Sequence, residues 1–553
     1  MNLEKYENDV LFVPLGGVGE IGLNMYLYGH KGKWLIVDFG IGFADDAAPG
    51  VDIILPDPAF IEERKKDLLG LVITHAHEDH IGAIAYLWEH IRCPIYASPF
   101  ARELIESRLD DAGLLGRVDI RTLEMNSSID IEPFTIQTIS VNHSIPEANA
   151  LVICTAAGNI VHTGDWKFDT NPLIGEEADY GALEKLGKDG GVLAVVGDST
   201  NVFSEGFSPS EGKVRDTFEH MIGKYKQKVL VACFSSNVAR IESIAQAGRK
   251  NGRKVCLLGR SLWRVDGAAR MVGYFDDLPE FLSEDEASRL PPEKVLYICT
   301  GSQGEKRSAL YTVANSENRY VSVGQGDAVI FSSRVIPGNE TEISLIQNRL
   351  SVLGAEVVTV ADNPEIHASG HSYREDIRKM YSLVKPKYVI PVHGEQFHLE
   401  EHAKFALELG AKKALEIKDG DIVLLSADAC EIVGQAQTGI LAIDGKRIIR
   451  LDSEVFKKRR KIIYSGSLVI TVVLNKNAEL VSAPQISSIG LFDETSDEIA
   501  VIKGLIKEVV EQLDAPTRLN DFAIKEQIKM SVRRYVLEIQ GNKPLTEIHL
   551  VRV

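Results

Sequence analysis

"LVITHAHEDHIGAI", residues 71–84, is the stretch that decides the fold. It sets three histidines and two acidic residues into six positions, directly after a run of apolar β-formers. Burying such groups is costly unless a partner of opposite charge satisfies them. On a strand end that enters a loop, His75 and His77 can converge on one cation, and Asp79 and His80 on a second. Imidazole nitrogens and carboxylate oxygens suit Zn²⁺, with Mn²⁺ as a competitor. The pattern therefore predicts a metal site.

Further ligands are expected at other strand ends. "SVNHSIPEA" supplies His143, "IVHTGDWK" supplies Asp165 and "YVIPVHGE" supplies His393. A lone histidine is more often a surface or core residue than a ligand. Three such residues that each follow an apolar strand, in a chain that already needs ligands, favour a metal centre.

Composition narrows the class of protein. The chain has 553 residues, 44% of them hydrophobic and 25% charged, which is typical of a soluble protein of two to four domains. A net charge of −18 argues against coating nucleic acid by bulk attraction, but is compatible with a nuclease that has a local positive groove. Six cysteines lack any C-x-x-C pair and are expected to be reduced. With no signal peptide or apolar membrane span in the sequence, we expect a cytoplasmic protein without membrane contact.

The chain divides by pattern. Over the first 200 residues, short strands in series are joined by hairpins and helices, which predicts an α/β sandwich. From about 207, helical segments alternate with short apolar strands, which is typical of a parallel, doubly wound unit. The charged stretch "SEVFKKRRK" (453–461) is interpreted as a linker, and 465–553 as a small α+β domain.

"GVGEIG" (17–22) fits the dinucleotide-binding pattern G-x-G-x-x-G, with Asp38 about 20 residues downstream. The strand-like "LNMYLYG" follows it where a helix should begin, and "GHKG" then turns into "KWLIVDFG". No room remains for a crossover helix. We therefore predict a β-hairpin and no bound dinucleotide.

The order of these motifs resembles the metallo-β-lactamase superfamily. The resemblance implies one metal ion held by His75, His77 and His143, and a second held by Asp79, His80 and His393. It implies that Asp165 bridges the two ions. It also implies that Asp38, at the end of "WLIVDFG", supports the ligand loop from the second shell of hydrogen bonds.

The segment between Asp165 and His393 is far too long for a loop and contains the whole doubly wound unit. An α/β domain inserted there resembles the β-CASP nucleases, whose motifs match Asp198 in "VVGDSTN", His371 in "HASGHSYRED" and His393 in "PVHGE". A histidine at the last position, rather than valine, is typical of the RNA-directed branch. "PLGGVGEIGLNMY", "FSSRVIPGNE" and "PVHGEQFHL" resemble ribonuclease J over most of residues 10–450, with Arg334 as a departure where proline is common.

The resemblance implies an α/β fold: a metallo-β-lactamase αββα sandwich with an inserted doubly wound β-CASP domain and a small α+β C-terminal domain. The expected boundaries are 1–206 and 368–447 for the two parts of the metallo-β-lactamase domain, 207–367 for the insertion, 448–464 for a linker and 465–553 for the C-terminal domain.

The activity implied is that of a metal-dependent ribonuclease acting in RNA maturation and mRNA decay. It would degrade RNA from a 5′-monophosphorylated end towards the 3′ end and would also cut internally. Two divalent ions, Zn²⁺ first with Mn²⁺ or Mg²⁺ as alternatives, would activate a hydroxide that attacks the phosphodiester. Asp79, Asp198 and His371 are the catalytic candidates, and His371 would stabilise the transition state or protonate the leaving 3′ oxygen, unless it is purely structural.

A pocket for the terminal phosphate is expected from hydroxyl, imidazole and glycine backbone groups. The candidates are Ser333, His367, Ser369, Gly370 and His371; the alternative is that "SGH" only forms a tight turn. "KKRRK" (457–461) either contacts RNA or is a solvated linker. The family implies a homodimer or homotetramer and a place in an RNA-degradation complex. A small-molecule hydrolase, a non-catalytic RNA-binding scaffold and a DNA-directed nuclease are the rival functions.

Overall fold

The computed structural model describes residues 3–45 and 48–553. It divides into two compact units, one formed by Met1–Gly42 with Leu55–Gly439 and the other by Phe43–Ile54 with Ile440–Val553. Each is described by itself below.

The first unit contains an eight-stranded sheet. Its strands, in spatial order, are Cys430–Gln435, Asp421–Leu425, Val10–Gly16, Met25–His30, Lys33–Val37, Leu68–Val72, Ile95–Ala97 and Ile120–Thr122. The first five are antiparallel neighbours and the last four run parallel to one another. The pairings of Val10–Gly16 with Met25–His30, and of Met25–His30 with Lys33–Val37, confirm the hairpin interpretation of "GVGEIG".

A second sheet of seven strands packs against the first. Its order is Lys413–Ala414, Pro386–Val392, Val192–Asp198, Gly158–His162, Asn149–Thr155, Phe134–Ser140 and Ser128–Ile131. Alternate apolar residues of both sheets, among them Phe12, Tyr28, Ile136 and Leu151, form one continuous buried cluster. This cluster is the core of the sandwich.

Helices cover the outer faces. Tyr180–Lys188, Arg374–Val384 and Gln396–Glu408 bury Leu183, Met380 and Phe405 against the second sheet. Ile84–Ile91 and Pro99–Asp111 connect parallel strands of the first sheet and lie on the face away from the core, as crossover helices must. Two short helices, Ala59–Glu62 and Glu78–Ile81, complete this α/β sandwich.

The insertion is built on a five-stranded, fully parallel sheet. Its order is Lys254–Leu258, Val295–Cys299, Val229–Ala232, Ala328–Phe331 and Glu356–Val358. Helices alternate with these strands along the chain: Glu211–Ile222, Val238–Lys250, Arg260–Met271, Glu284–Ser288, Ala309–Ala314 and Glu340–Val352. The predicted doubly wound unit and the α/β fold class are confirmed.

The second unit has a three-stranded sheet in the order Gln485–Ile489, Ser467–Leu474 and Leu545–Arg552. Helices Asp497–Glu511, Ala515–Arg518 and Asp521–Gln540 accompany it, and Ile502, Ile506, Ile528 and Val532 pack against Ile470 and Val472. A four-stranded sheet has the order Arg447–Arg450, Ile440–Asp444, Ile53–Pro56 and Gly42–Phe43. Short 3₁₀ turns elsewhere in the chain span Glu4–Tyr6, Pro292–Lys294 and Pro364–Ile366.

The segment expected to be a linker, 448–464, contains most of a helix. The helix spans Glu454–Ser465, and Phe456 on one face of it is buried with Ala48, Val51 and Ala442. The basic run 457–461 lies on this helix, where Lys457 pairs with Glu454 and Arg459 pairs with Asp444.

Over the described part of the chain, none of the helices combines the length and the apolar character that crossing a bilayer requires.

Candidate metal centre and phosphate pocket

Six polar side chains gather where strands of the two sheets end. Asp38 follows Lys33–Val37, His75 follows Leu68–Val72, and His143 follows Phe134–Ser140. The second sheet supplies Asp165, Asp198 and His393 at or just after the ends of three neighbouring strands. The packing of two sheets therefore brings together residues that are up to 355 positions distant in the sequence, the separation of Asp38 and His393.

His75, His77, His143 and Asp165 form the first group. His75 Nε2 and His143 Nε2 lie 3.1 and 3.0 Å from His77 Nδ1. Asp165 Oδ2 lies 3.8 Å from His75 Nε2 and 3.9 Å from His143 Nε2. Ligand atoms about 2.0–2.2 Å from one cation are spaced by about 3–4 Å, so this donor set fits a tetrahedral divalent ion such as Zn²⁺.

Asp79, His80, Asp165 and His393 form the second group. Asp165 Oδ2 lies 3.2 Å from His80 Nε2 and 3.5 Å from His393 Nε2. Asp79 Oδ2 lies 3.6 Å from His80 Nε2 and 3.9 Å from His393 Nε2. Asp165 is the member common to both groups and is 3% exposed, so a buried carboxylate lies between two sets of imidazoles.

A chain of hydrogen bonds from Asp38 orients two of the histidines. Asp38 accepts bonds from the Thr74 amide at 2.8 Å, from Thr74 Oγ1 at 2.8 Å and from His80 Nδ1 at 2.7 Å. Thr74 Oγ1 donates its hydrogen to Asp38, so it accepts a hydrogen bond from His75 Nδ1 at 3.0 Å. In both histidines Nδ1 is thus used for these hydrogen bonds, and Nε2 is the nitrogen that faces the position of a cation.

Two more hydrogen-bond acceptors orient His143 and His393 in the same way, so that Nε2 of each ring is available to a metal ion. His143 Nδ1 donates to the Gly370 carbonyl at 2.7 Å, and His393 Nδ1 donates to Asn24 Oδ1 at 2.9 Å. Asn24, fully buried, also donates from Nδ2 to the Asp79 carbonyl at 2.9 Å. Every Nε2 ligand candidate is therefore held in one tautomer by a neighbour.

The pKa values of these side chains follow from burial and from the carboxylates. Burial lowers the pKa of His77 to about 4, against the attraction of Asp79, and it lowers the pKa values of His75 and His143 as well. Burial disfavours the charged form of His80 too, but Asp165, Asp79 and Asp38 hold its pKa above the ordinary value. The three-histidine group is thus neutral at physiological pH, which is the form that binds a metal ion.

His371 and Asp198 lie beside the two groups. His371 Nδ1 is 2.9 Å from Asp198 Oδ2 and 4.0 Å from Asp165 Oδ2. Burial would lower the pKa of His371, but Asp198 and the other carboxylates raise it to about 9. Thr200 holds Asp198 in turn, through its amide at 2.9 Å and its hydroxyl at 2.7 Å. The result is a cationic imidazole next to the metal ligands.

The segments that carry the predicted phosphate-binding residues are joined by Arg240, a buried residue of the insertion. Its guanidinium donates to Ser332 Oγ at 2.6 Å, to the Ser332 carbonyl at 3.0 Å and to the Ala368 carbonyl at 3.4 Å. Ser333 therefore lies beside the segment 367–371, which contains the other candidates. The hydroxyl of Ser369 accepts from Asn201 Nδ2 at 2.7 Å and from the His371 amide at 3.3 Å.

The two arginines near the candidate phosphate-binding residues, Arg240 and Arg334, differ in whether a carboxylate neutralises them. Glu211 neutralises Arg240 at 2.7 Å, and both side chains are buried. Arg334 donates to the Tyr373 hydroxyl at 2.8 Å and has no carboxylate partner within 4.0 Å among the residues that the structure describes. Burial, followed by the charge of Arg240, lowers the pKa of His367 to about 3, so this imidazole is neutral. The uncompensated charge beside the pocket is that of Arg334.

Sequence reasoning missed three functional candidates. In the sequence, Asn24 is an isolated polar residue and Arg240 is an arginine of a helical segment, and neither pattern indicates a functional role. Gln303 donates to Ser333 Oγ at 3.2 Å and to the Arg334 carbonyl at 2.8 Å, and it accepts from the Ile336 amide at 2.9 Å. The signal for Gln303 was present in "TGSQGE" (300–305), a glycine-flanked polar loop after a buried strand. No comparable signal marks Arg240.

Comparisons with known proteins agree with this geometry. Four family models match: the metallo-β-lactamase superfamily at residues 18–221, the ribonuclease J β-CASP domain at 226–350, the Zn-dependent metallo-hydrolase RNA specificity domain at 361–415 and the ribonuclease J C-terminal domain at 454–553. A solved structure of a protein of unknown function from Enterococcus faecalis has a TM-score of 0.52 at 16% identity, covering 75% of this chain and 100% of that chain, and this likeness concerns the fold alone.

Curated relatives match over the full chain. A ribonuclease J of Sinorhizobium meliloti is 38% identical over 99% of this chain and 98% of its own length. A ribonuclease J of Helicobacter pylori is 34% identical, covering 97% of this chain and 78% of its own length, and a ribonuclease J2 of Bacillus subtilis is 30% identical over 98% of both.

Replacing Asp38 with asparagine tests the orienting chain. Asp38→Asn keeps the size of the side chain but removes the charge that His80 and Thr74 require, so we expect metal affinity to fall about 10- to 100-fold. Equilibrium dialysis of Zn²⁺ against the purified protein measures it. Asp327→Asn, a buried aspartate in the inserted domain that bonds Lys228, is the control and should bind metal as the unaltered protein does. Equal affinity in Asp38→Asn would refute the orienting role.

Removing one member of the buried ion pair tests its contribution to stability. Arg240→Met leaves Glu211 buried without its partner and should lower the free energy of unfolding by about 3–5 kcal/mol, measured by urea denaturation. Burial alone would raise the pKa of Glu211, yet Arg240 holds it below its ordinary value. The pair therefore stabilises the fold above the unfolded-state carboxyl pKa, and that contribution disappears as the pH falls through the lower folded-state pKa.

Arg289→Met is the matched control, since Arg289 pairs with Asp285 on an exposed helical surface. We expect at most about 1 kcal/mol from it. The double variant Arg240→Met/Glu211→Met should recover most of the lost stability. An Arg240→Met protein as stable as Arg289→Met would show that the buried pair is unimportant.

Proposed function

The chain belongs to the ribonuclease J family and is a ribonuclease, and from that premise we propose that it degrades RNA from a 5′-monophosphorylated end and also cuts RNA internally. The observation that carries the proposal is the proximity of three elements. These are the two groups of side chains that can hold a metal ion, the His371–Asp198 pair, and the segments with the candidate phosphate-binding residues, which Arg240 joins. A scaffold that only binds RNA has no need of the first two.

We assign one divalent cation to His75, His77, His143 and Asp165, and a second to Asp79, His80, His393 and Asp165. Zn²⁺ suits the imidazole-rich donor set, and Mn²⁺ or Mg²⁺ are alternatives. Bound there, the cations would make a water molecule acidic enough to act as a nucleophile near neutral pH and would offset charge on the phosphate.

The protein's own side chains supply the remaining steps. Asp165, buried between the two groups, keeps their spacing fixed. Asp198 accepts from Nδ1 of His371 at 2.9 Å, which fixes the ring and leaves Nε2 as the group that donates a proton to the leaving 3′ oxygen. The ring centroid of His371 lies 5.0 Å from that of His143 and 5.7 Å from that of His393, so the donor lies next to the metal ligands.

The terminal phosphate is assigned to Ser333, His367, Ser369 and the Gly370 backbone. Ser333 is 7% exposed and Ser369 is 9% exposed, so both hydroxyls lie below the surface. We infer that they hold a single phosphate group, because each further phosphate of a triphosphate would need hydrogen-bond donors of its own. Arg334, which follows Ser333 and has no carboxylate partner among the described residues, supplies a cation next to this position. These features support a preference for 5′-monophosphorylated RNA.

On the same family resemblance, we propose that the chain assembles as a homodimer or homotetramer in the cytoplasm and works in an RNA-degradation complex.

A pair of RNA substrates tests the proposed activity. One RNA carries a 5′ monophosphate and the other a 5′ triphosphate, each with a 3′-end label and an internal label. With divalent cations present, we expect mononucleotides from the start of the reaction with the monophosphorylated RNA. The triphosphorylated RNA should first give internal fragments, and mononucleotides should follow only after an internal cut has created a new 5′ monophosphate. Denaturing gels of a time course resolve the two orders.

The double variant Asp79→Ala/His80→Ala should lose both reactions. The double variant Asp285→Ala/Arg289→Ala, which removes an exposed ion pair in the insertion, is the control and should retain them. Mononucleotides released from both RNAs at the same initial rate, before any internal fragment appears, would refute the phosphate pocket. An inert protein under several cations would refute the nuclease assignment.

A further inference from the structure

We propose that Phe203 and Phe397 form a stacking platform that binds a nucleobase of single-stranded RNA beside the metal centre. The inference rests on the proposed ribonuclease activity and adds a binding site for the base to it. The roles proposed for the metal ligands and the phosphate-binding residues concern the RNA backbone, so a base needs a binding site of its own.

The two rings face each other on the protein surface. Their centroids are 5.7 Å apart and their planes are inclined by 28°, which is a stacked arrangement. Phe203 is 52% exposed and Phe397 is 51% exposed, so each ring keeps about half of its surface accessible. The imidazole of His398 lies 4.0 Å from the Phe397 ring and 5.7 Å from the Phe203 ring, and extends the aromatic cluster.

Phe203 is attached to the metal centre through a short, firmly bonded loop. It lies five residues after Asp198, in a segment where Thr200 Oγ1 approaches the His393 carbonyl at 3.2 Å. The Ser204 amide closes the loop on the Asn201 carbonyl at 2.8 Å. The position of the ring is therefore fixed relative to the site.

Phe397 is attached from the other side. It lies in the first turn of the helix Gln396–Glu408, four residues after His393. The residues between are held to the glycine-rich loop by bridges of Gly394 with Glu20 and of Glu395 with Gly19. Two independent segments that each carry a catalytic or metal-binding candidate thus present one phenylalanine to the same surface.

The chemistry of the surface selects a base as the occupant. Glu395, two residues before Phe397, is exposed, and its charge disfavours a phosphate at this position. Glu205, two residues after Phe203, is also exposed but lies 3.6 Å from Arg374, which offsets its charge. An uncharged base has no such penalty and has a flat π-face that stacks on an aromatic ring whatever its identity. Stacking tolerates every sequence, which suits an enzyme that removes successive nucleotides.

The experiment measures binding of a 5′-monophosphorylated single-stranded RNA in the presence of a chelator, by fluorescence anisotropy. Phe203→Ala and Phe397→Ala should each raise Kd about 5- to 100-fold, the range that loss of one stacked base produces. Phe397→Trp should bind at least as well as the unaltered protein. Phe207→Ala is the matched control, because Phe207 is 60% exposed in the same segment but has no ring partner among the described residues.

A scan with a single abasic nucleotide locates the stacked base. At one position along the RNA, the abasic substitution should weaken binding to the unaltered protein and leave binding to Phe203→Ala unchanged. Equal Kd values for the two alanine variants and Phe207→Ala would overturn the platform. So would a scan in which no position removes the difference between the proteins.

Cleavage of the same RNA by the unaltered protein, with cations restored, separates this proposal from the one on which it rests. Cleavage together with unchanged binding in the variants overturns the platform alone. Loss of binding in both variants without any cleavage by the unaltered protein supports the platform and overturns the proposed nuclease activity.

Discussion

The carboxylate of Asp38 is the constraint on which the metal centre depends. It is fully buried, and it accepts from Thr74 and His80 at once, so it fixes the loop that carries four of the ligand candidates. Holding Asp38 in this position strains the backbone, since its φ of 61° lies in the left-handed region that residues other than glycine rarely adopt. Two residues later a Cβ on Gly40 would meet the Asp79 carbonyl oxygen at 1.6 Å. The end of the strand at Asp38, Gly40 and the loop that carries the ligand candidates are therefore packed against one another, and none of them can move alone.

The inserted domain contributes contacts that position residues of the candidate site. Arg240, on a helix of the insertion, bonds the segments around Ser332 and Ala368, and the chain then continues into Gly370 and His371. The Gly370 carbonyl orients His143, and a Cβ on Gly370 would lie 2.7 Å from His143 Cε1. His371 in turn lies 2.9 Å from Asp198, at the end of a strand of the seven-stranded sheet. The groups that can hold metal ions and the segments proposed to bind the RNA end thus share one set of contacts.

The residues that sequence analysis found are those whose position is encoded locally. His75, His143, Asp165 and His393 each follow an apolar strand, and the ends of paired strands meet at one edge of a sheet. Asn24, Arg240 and Gln303 escaped because their roles depend on partners that are distant along the chain. The helix Glu454–Ser465 is hard to predict because its charged residues are plain in the sequence, whereas the contacts of Phe456 with Ala48 and Val51 are not. The second compact unit includes the chain from Ile440 onwards, and the domain boundaries expected from the sequence stay predictions.

The central claim is that seven side chains, oriented by Asp38, Asn24 and Gly370, hold two cations bridged by Asp165. Anomalous X-ray diffraction from crystals of the metal-loaded protein, collected on both sides of the zinc edge, tests it most directly. The account predicts two anomalous peaks about 3.5–4 Å apart, one among His75, His77 and His143 and the other among Asp79, His80 and His393. A single peak, or two peaks without Asp165 between them, would contradict it.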